Sequence, residues 1–393
     1  MRILQINSVC GIRSTGRIVT DLYQELVKEG HECCIAYGRE QAPEKVNTYR
    51  INTKLDVMCH AGLSRITDRQ GFYSTNATKR LVKWMKCYNP DIIHLHNIHG
   101  YYLNIIVLFH ALKEMKKPII WTLHDCWAFT GHCSQFDYID CNRWEKGCYS
   151  CPQKKAYPTS LFLDKSKLNY CQKKECLDNI SSLTFVTPSY WLADLVRKSF
   201  ANSYPVEVIP NGVDIEVFKK EKSDFRKRYD LEDKFVLLGV SSFWGERKGY
   251  SIFLQLADML DEKSKIVLVG VTKQQKEKLP DKIIGIEKTN NTKELAQIYS
   301  AADVFINPTL EDNYPTVNLE AQLCGLPVIT FQSGGSGESI CPNGVVLNEK
   351  SSAAIMNNLE KNRKLEEIDR YQFSKELMMK RYIECYLKSL QKK

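Results

Sequence analysis

An α/β architecture built twice is what this sequence predicts: two doubly wound parallel sheets, each covered by helices, following one another along the chain. Three observations carry that expectation. Short β-branched runs alternate with longer amphipathic segments. The runs are apolar almost throughout, as strands buried under helices on both faces must be. The series breaks once, near residues 190–210, where "SYWLADLVRKSFANSYPVEVIPNGVD" passes from a helical pattern into a turn of Pro, Asn and Gly. With 393 residues, there is enough chain for two domains with separate cores.

Taken in order, the first strands are "RILQIN", "ECCIAY", "DIIHLH", "PIIWTL" and "LTFVT", and the second set is "VEVIP", "FVLLGV", "KIVLVG", "DVFINP" and "LPVIT". Between them, "TGRIVTDLYQELVKEG" and "GYSIFLQLADMLDEK" space their apolar residues three or four apart, the signature of helices with one buried face. The expected domains are residues 1–200 and 201–371. A final amphipathic helix over 372–393 is expected to pack back on the first domain.

A 43% hydrophobic and 26% charged composition argues against disorder. No apolar stretch approaches the roughly 20 residues of a spanning helix, and "MRILQINSVCGIRS" reads as a strand rather than a signal peptide, so a cytoplasmic protein is expected. In that compartment the fifteen cysteines are reduced thiols, metal ligands or core filling. The net charge of +9 falls entirely in residues 1–200, with 27 Lys and Arg against 18 Asp and Glu, while residues 201–393 hold 28 of each. A basic half suits a phosphorylated substrate, nucleic acid or an anionic membrane, or is a solvated surface.

Ligands of doubly wound sheets bind beyond the carboxyl ends of the strands, so the chemistry is sought in the loops that follow them. After the first strand, "NSVCGIRSTGRIV" places Gly11 and Gly16 around a turn that opens a helix, without the G-x-G-x-x-G spacing of a dinucleotide site. After "PIIWTL", His124 and Asp125 stand at a strand end, where a histidine can donate to a hydroxyl or phosphate oxygen or serve the loop itself. After "FVLLGV", Arg247 and Lys248 precede Gly249 and a helix. Two cations beside a glycine suit a diphosphate, or a solvated basic turn. After "DVFINP", Glu311 and Asp312 lead into a helix starting at Thr316 that carries Glu320. Carboxylates accept from hydroxyls, and the amides of Thr316 and Val317 can donate to phosphate oxygens, so a ligand with hydroxyls at both ends of a diphosphate, a nucleotide sugar, fits the set.

These motifs together resemble the retaining glycosyltransferases of family 4, with the GT-B fold of two Rossmann-like domains facing a central cleft. "EDNYPTVNLEAQLCGLPVI" is similar to the family's Glu-x7-Glu element, with Asp312 standing where the first Glu is usual and Glu320 as the second. "GERKGY" resembles its diphosphate-binding Arg-Lys, "TLHD" its active-site His, "VIPNGVDIEVF" its entry to the second domain and "GGSGE" its Gly-Gly-x-x-Glu turn. The resemblance implies that Glu320 binds the donor ribose, Asp312 the hydroxyls of the transferred sugar, Arg247 and Lys248 the leaving diphosphate, and His124 the donor sugar near the reacting carbon. Thr316, Val317 and Gly16 complete the donor site. It further implies a UDP- or GDP-sugar donor, a glycan acceptor and no catalytic metal, with no nucleic-acid partner. Nucleotide-sugar epimerases of related fold and non-catalytic sugar-nucleotide binding proteins are the alternatives.

The region "HDCWAFTGHCSQFDYIDCNRWEKGCYSCPQ" looks closest to enzymes of bacterial surface polysaccharide assembly, of the colanic acid or capsule type. A lipid-linked acceptor and peripheral docking on the anionic inner membrane follow from that likeness. The stretch from Leu63 to Tyr88, six Lys and Arg interleaved with Phe72, Tyr73 and Trp84, is the expected docking element. Cys148-x2-Cys151 has the spacing of half a structural zinc site, and Cys133 and Cys141 are the expected other half, with Cys126 held apart near His124.

Overall fold

Seven strands of the first unit run parallel in a single sheet, seen in a computed structural model that describes residues 1–342, 344–359 and 367–391. They are β1 (Arg2–Asn7), β2 (Glu32–Tyr37), β3 (Thr48–Arg50), β4 (Ile92–Leu95), β5 (Ile119–Thr122), β6 (Leu183–Thr187) and β7 (Val206–Val208), in the spatial order β3-β2-β1-β4-β5-β6-β7. The central strands are buried on both faces: Ile3, Leu4 and Ile6 of β1, the whole of β4 and the whole of β5. That is why these strands read as unbroken apolar runs rather than as alternating ones.

The second unit holds a six-stranded parallel sheet of β8 (Phe235–Val240), β9 (Ser264–Val269), β10 (Ile283–Ile286), β11 (Val304–Asn307), β12 (Val328–Phe331) and β13 (Val345–Leu347), ordered β10-β9-β8-β11-β12-β13. Its two faces are covered by separate apolar clusters, one around Tyr299, Phe305 and Leu319, the other around Phe253, Leu268 and Phe331. The units comprise Met1–Ile209 with the chain from Met379 onward, and Pro210–Met378.

Two features depart from the reading of the sequence. "VEVIP" does not open the second sheet; β7 pairs with β6 and closes the first, because the helix Tyr190–Lys198 returns the chain to that sheet's edge. The strands β3, β10 and β13 have three or four residues each and lie at sheet edges: β10 (IIGI) and β13 (VVL) are apolar but too short to stand out, and β3 (TYR) is not an apolar run.

The last helix, Lys375–Gln391, begins in the second unit, where Lys375 Nζ contacts Asp214 Oδ2 at 2.6 Å and Val213 exchanges backbone hydrogen bonds with Phe373 and Lys375. Its buried Tyr382 and Tyr386 belong to the first unit. There the Tyr386 hydroxyl meets His94 Nδ1 at 2.6 Å and the Tyr382 hydroxyl meets Thr122 Oγ1 at 3.1 Å. Among the described residues, no helix is long and apolar enough to cross a membrane.

Candidate active site

In the second unit the order of strands decides which loops meet. From β8 the chain builds outward through β9 to β10, then returns to place β11 on the other side of β8 and builds outward again. The loops after β8 and β11 therefore leave side by side at the switch point where such sheets bind ligands. The first carries Arg247 and Lys248 in a short 3-10 turn ended by Gly249 at φ +73°. A Cβ on Gly249 would lie 2.3 Å from the Pro308 carbonyl oxygen, so only glycine lets the two loops touch.

Once together, the loops are stitched. Leu310 N–H donates to the Arg247 carbonyl at 2.9 Å, and Arg247 Nη1 donates to the Glu311 carbonyl at 3.3 Å. Lys248 Nζ forms an ion pair with Asp312 Oδ2, while Asp312 Oδ1 accepts from Asn313 N–H at 2.8 Å. Glu311 is buried and Asp312 half-buried, and it is Asp312 whose carboxylate meets the lysine.

The helix Thr316–Leu323 follows with Pro315 at its N-cap and no side-chain cap. Where Ser, Thr, Asp or Asn would normally accept from the first amides, proline offers nothing, and the N–H groups of Thr316 and Val317 remain at the positive end of the helix. Glu320 is half-buried, and its Oε2 accepts from the Tyr299 hydroxyl at 3.0 Å. Burial, and then the charge of Glu320, push the tyrosine hydroxyl well above its ordinary value, so it stays a donor and keeps the carboxylate aimed.

The back of this helix is held by polar residues that inspection of the sequence passes over. Asn318 accepts from Asn307 Nδ2 and donates to Ser339 Oγ, both at 2.8 Å, and Gln322 donates to the Ser339 carbonyl at 2.9 Å. All four residues are buried. The available signal was two amides at i and i+4 on what would otherwise be the apolar face of "TVNLEAQLCG".

In the first unit, β4 and β5 are neighbours, so the loops after them bring His96, His99, His124 and Asp125 together. Gln5 Nε2 donates to the Val19 carbonyl at 3.2 Å and reaches Cys33 Sγ at 3.5 Å, which leaves Gln5 Oε1 facing His96 Nε2 at 3.3 Å. His96 Nε2 must then carry the proton. Burial, with His94 and His124 nearby, holds His96 well below its ordinary value, so it is neutral and its Nδ1 accepts from His124 Nε2–H at 3.2 Å. His124 is itself lowered to about 4, chiefly by burial, and its single proton is already engaged. Its Nδ1 is left as an acceptor. The donation to a ligand expected of His124 is thus reversed: it can receive a hydroxyl proton in a hydrogen bond but not give one.

Asp125 is held by His99 Nε2 at 2.8 Å and by Trp127 N–H at 2.9 Å. Burial raises its carboxyl, but His99 and the backbone bond outweigh that, and the net shift is downward. Gly16 sits inside the helix Arg13–Lys28 rather than before it, and its carbonyl accepts from Gly11 N–H at 3.0 Å. A Cβ there would come within 3.1 Å of Val9, so this glycine serves the close packing of loop on helix.

Two further expectations are altered. In the Leu63–Tyr88 stretch, Phe72 is buried under the Arg69 guanidinium, 3.8 Å from its ring centre, and Trp84 is stacked between Tyr49 and Tyr88. These contacts tie Phe72 and the half-buried Trp84 to the domain's own packing. The cysteines Cys133, Cys141, Cys148 and Cys151 line one small cavity together with His132. All fifteen cysteines are free thiols, and among the described residues no three His, Cys, Asp or Glu side chains already converge to hold a metal ion.

Residues 15–217 match the model for Glycosyltransferase Family 4, and residues 234–362 match that for Glycosyl transferases group 1. The first match alone spans more than half of the chain, which belongs to glycosyltransferase family 4. The chain is 23% identical over 360 residues, 88% of its length and 86% of the relative's, to WcaC of Escherichia coli K12, designated a colanic acid biosynthesis glycosyl transferase. It is 24% identical over 191 residues to the N,N'-diacetylbacillosaminyl-diphospho-undecaprenol alpha-1,3-N-acetylgalactosaminyltransferase of Campylobacter jejuni, covering 44% of the chain and 50% of that protein. Its fold follows that of Anabaena HepE, solved with UDP and glucose, at a TM-score of 0.66 with 14% identity over 98% of this chain and 99% of that one. The two sheets are those of the GT-B fold.

Proposed function

We propose that this glycosyltransferase moves a sugar from a nucleoside diphosphate sugar to a glycan acceptor on a lipid diphosphate carrier, in the assembly of a bacterial surface polysaccharide, with retention at the anomeric carbon. The observation that carries the reading is the grouping of Lys248, Arg247 and the uncapped helix start at Thr316 beside two carboxylates, Asp312 and Glu320. Lys248 spends one N–H on Asp312 and keeps two for phosphate oxygens. With Arg247 and the amides of Thr316 and Val317 it stabilises the negative charge of the departing diphosphate, a task these groups perform without a divalent ion. Glu320 accepts from ribose hydroxyls and the remaining lone pairs of Asp312 accept from the sugar. In the transfer the C–O bond to the diphosphate breaks, the acceptor oxygen bonds the same face of the carbon, and the acceptor's proton passes to a phosphate oxygen.

The lipid carrier is supported by the name of the Campylobacter relative, and the polysaccharide by that of WcaC. Docking on an anionic bilayer is supported by a face that begins before the stretch Leu63–Tyr88 and overlaps its start. The helix Lys54–Thr67 leaves Leu55, Met58, Leu63 and Ile66 exposed, and the segment Leu161–Leu163, also exposed, is hydrogen-bonded to its last turn at Arg65 and Ile66. Lys54 and Arg65 lie on the same helix.

The test is nucleoside diphosphate release from a panel of UDP- and GDP-sugars. Release that requires an added polyprenyl diphosphate glycan supports the reading. A donor turned over equally without acceptor, or no donor raising the melting temperature, overturns it. Co-sedimentation with phosphatidylglycerol vesicles that weakens with salt supports docking, and equal binding to phosphatidylcholine at high salt refutes it.

A further inference from the structure

The loop after His124 gathers five donors around one cavity, His132, Cys133, Cys141, Cys148 and Cys151, and the transfer chemistry uses none of them. Two observations set them apart from ordinary core thiols.

The first is the state of His132. It is 2% exposed, its Nδ1 makes a close hydrogen bond with Asp68 Oδ1, and its Nε2 is buried with no hydrogen-bond partner among the described residues. Asp68 is fixed in turn: its Oδ2 accepts from Lys165 N–H at 2.8 Å and its carbonyl accepts from Asn169 Nδ2 at 2.6 Å. A carboxylate on one ring nitrogen keeps the proton there and leaves a lone pair on the other. Histidine ligands of metals are prepared in this way, and a sealed lone pair with nothing to accept is otherwise unfavourable.

The second is the state of the sulfurs. Gly131 N–H donates to Cys148 Sγ at 3.2 Å, and a Cβ on Gly131 would stand 2.8 Å from Cys148 Cβ, so a glycine is needed to bring that amide in. Cys133 and Cys151 are hydrogen-bonded to each other, and the Gln153 backbone donates to Cys151. An amide directed at sulfur is the kind of outer contact that orients a metal ligand. Cys148 and Ser150 both hold positive φ, +42° and +46°, shaping a turn that few side chains adopt unconstrained.

We propose that this pocket binds one thiophilic divalent ion, zinc by the character of its donors, through His132 Nε2 and the sulfurs of Cys133, Cys148 and Cys151. Three thiolates and one imidazole make a closed, four-coordinate structural site. Cys141 is half-buried, as Cys151 is, and is the donor left over because it takes no part in the contacts just described, so the set differs from the four cysteines suggested by spacing alone. Cys133 and Cys151 bond one another, and among the described residues no three of the donors already converge. Binding releases three thiol protons per ion, and the four side chains turn inward.

The experiment reads metal rather than transfer, so its outcome is independent of the reading given above for the donor site. Full-length protein purified without chelator should carry about one zinc per chain by elemental analysis. Zn2+ added to metal-free protein should protect three cysteines from a thiol reagent, and Co2+ should give a tetrahedral spectrum with thiolate charge-transfer bands. Cys141→Ser should keep the ion, His132→Ala and Cys148→Ser should lose it, and Asp68→Asn should weaken binding about 10- to 100-fold. Wild-type protein that binds no added Zn2+ while Cys133, Cys148 and Cys151 all react freely would overturn the proposal, whatever the variants do. Zinc kept by His132→Ala and lost by Cys141→Ser would overturn the ligand set.

Discussion

The two units place polar groups at the carboxyl ends of parallel sheets, and they do so with opposite chemistry. All eight histidines lie in the first unit and none in the second. There the groups are buried and linked to one another, the neutral His96 and His124 with Gln5 on one side and His99 with the Asp125 carboxylate on the other. The second unit uses full charges, Lys248 against Asp312, beside the open end of a helix. The difference teaches what each is suited to hold. A diphosphate demands cations and N–H groups, whereas hydroxyls are best met by neutral acceptors, and burying neutral histidines avoids the desolvation that buried charges would suffer.

The largest effect should come from the charged unit. Lys248→Ala and Glu320→Ala should each lower kcat/KM by about 2 to 4 kcal/mol, roughly 30- to 1,000-fold, because each removes a charged partner proposed for the donor. The melting temperature should hold within a few degrees, since both side chains are half-buried at the site rather than in the core. Near wild-type turnover in either variant would sink the division of labour between the units.

Acid should act first on the neutral unit. His60 and His94 are lowered to about 3 and His124 to about 4, in each case chiefly by burial. The unfolded chain protonates near pH 6.5 and the folded one only lower, so this stabilisation is present above pH 6.5 and is lost as pH falls toward 4 and then 3. For His124 alone the loss is on the order of 3 kcal/mol once it is protonated. Hydrogen exchange should show β4 and β5 losing protection between pH 6.5 and 4 before β8 and β11 do, and simultaneous loss would break the comparison.

Gly249→Ala sharpens the comparison from the side of geometry. With φ at +73° and the Pro308 carbonyl at 2.3 Å from the new Cβ, the variant should lose about 2 kcal/mol in urea unfolding and misplace Lys248, reducing turnover further than stability. The smallest effect belongs to His96→Gln, which interrupts the link from Gln5 to His124. We expect a loss of about 1 kcal/mol in kcat/KM. Nitrogen-15 spectra of the wild type should show both His96 and His124 neutral with the proton on Nε2. A proton on His124 Nδ1 would refute the assignment.

Much of this was legible beforehand. The ten apolar runs all became strands, and the loop positions of His124, Arg247, Lys248, Asp312, Thr316 and Glu320 followed from the rule that strand ends carry ligands. The edge strands β3, β10 and β13 were not, because three or four residues are too few to show a pattern. Asn318, Gln322 and Gln5 were not, because a buried amide looks like a surface one until its partners are known. Phe72 and Trp84 read as membrane anchors for the same reason: the sequence shows an aromatic but not what covers it.

Sequence alone, then, determined which segments become parallel strands and helices and which residue types stand at their ends, since these depend on local periodicity and turn chemistry. Strand order was a tertiary decision, and with it everything that depends on neighbours across the sheet: that β8 lies beside β11, bringing Lys248 to Asp312 across 64 positions, and that β4 lies beside β5, bringing His96 to His124. Pairing between distant strands is set by the whole buried surface at once, and that sum is not written in any one stretch of the chain. The same holds for protons. Which nitrogen of His124 or His132 is bare was settled by a glutamine and an aspartate far away in sequence, because in a buried site the partner dictates the tautomer.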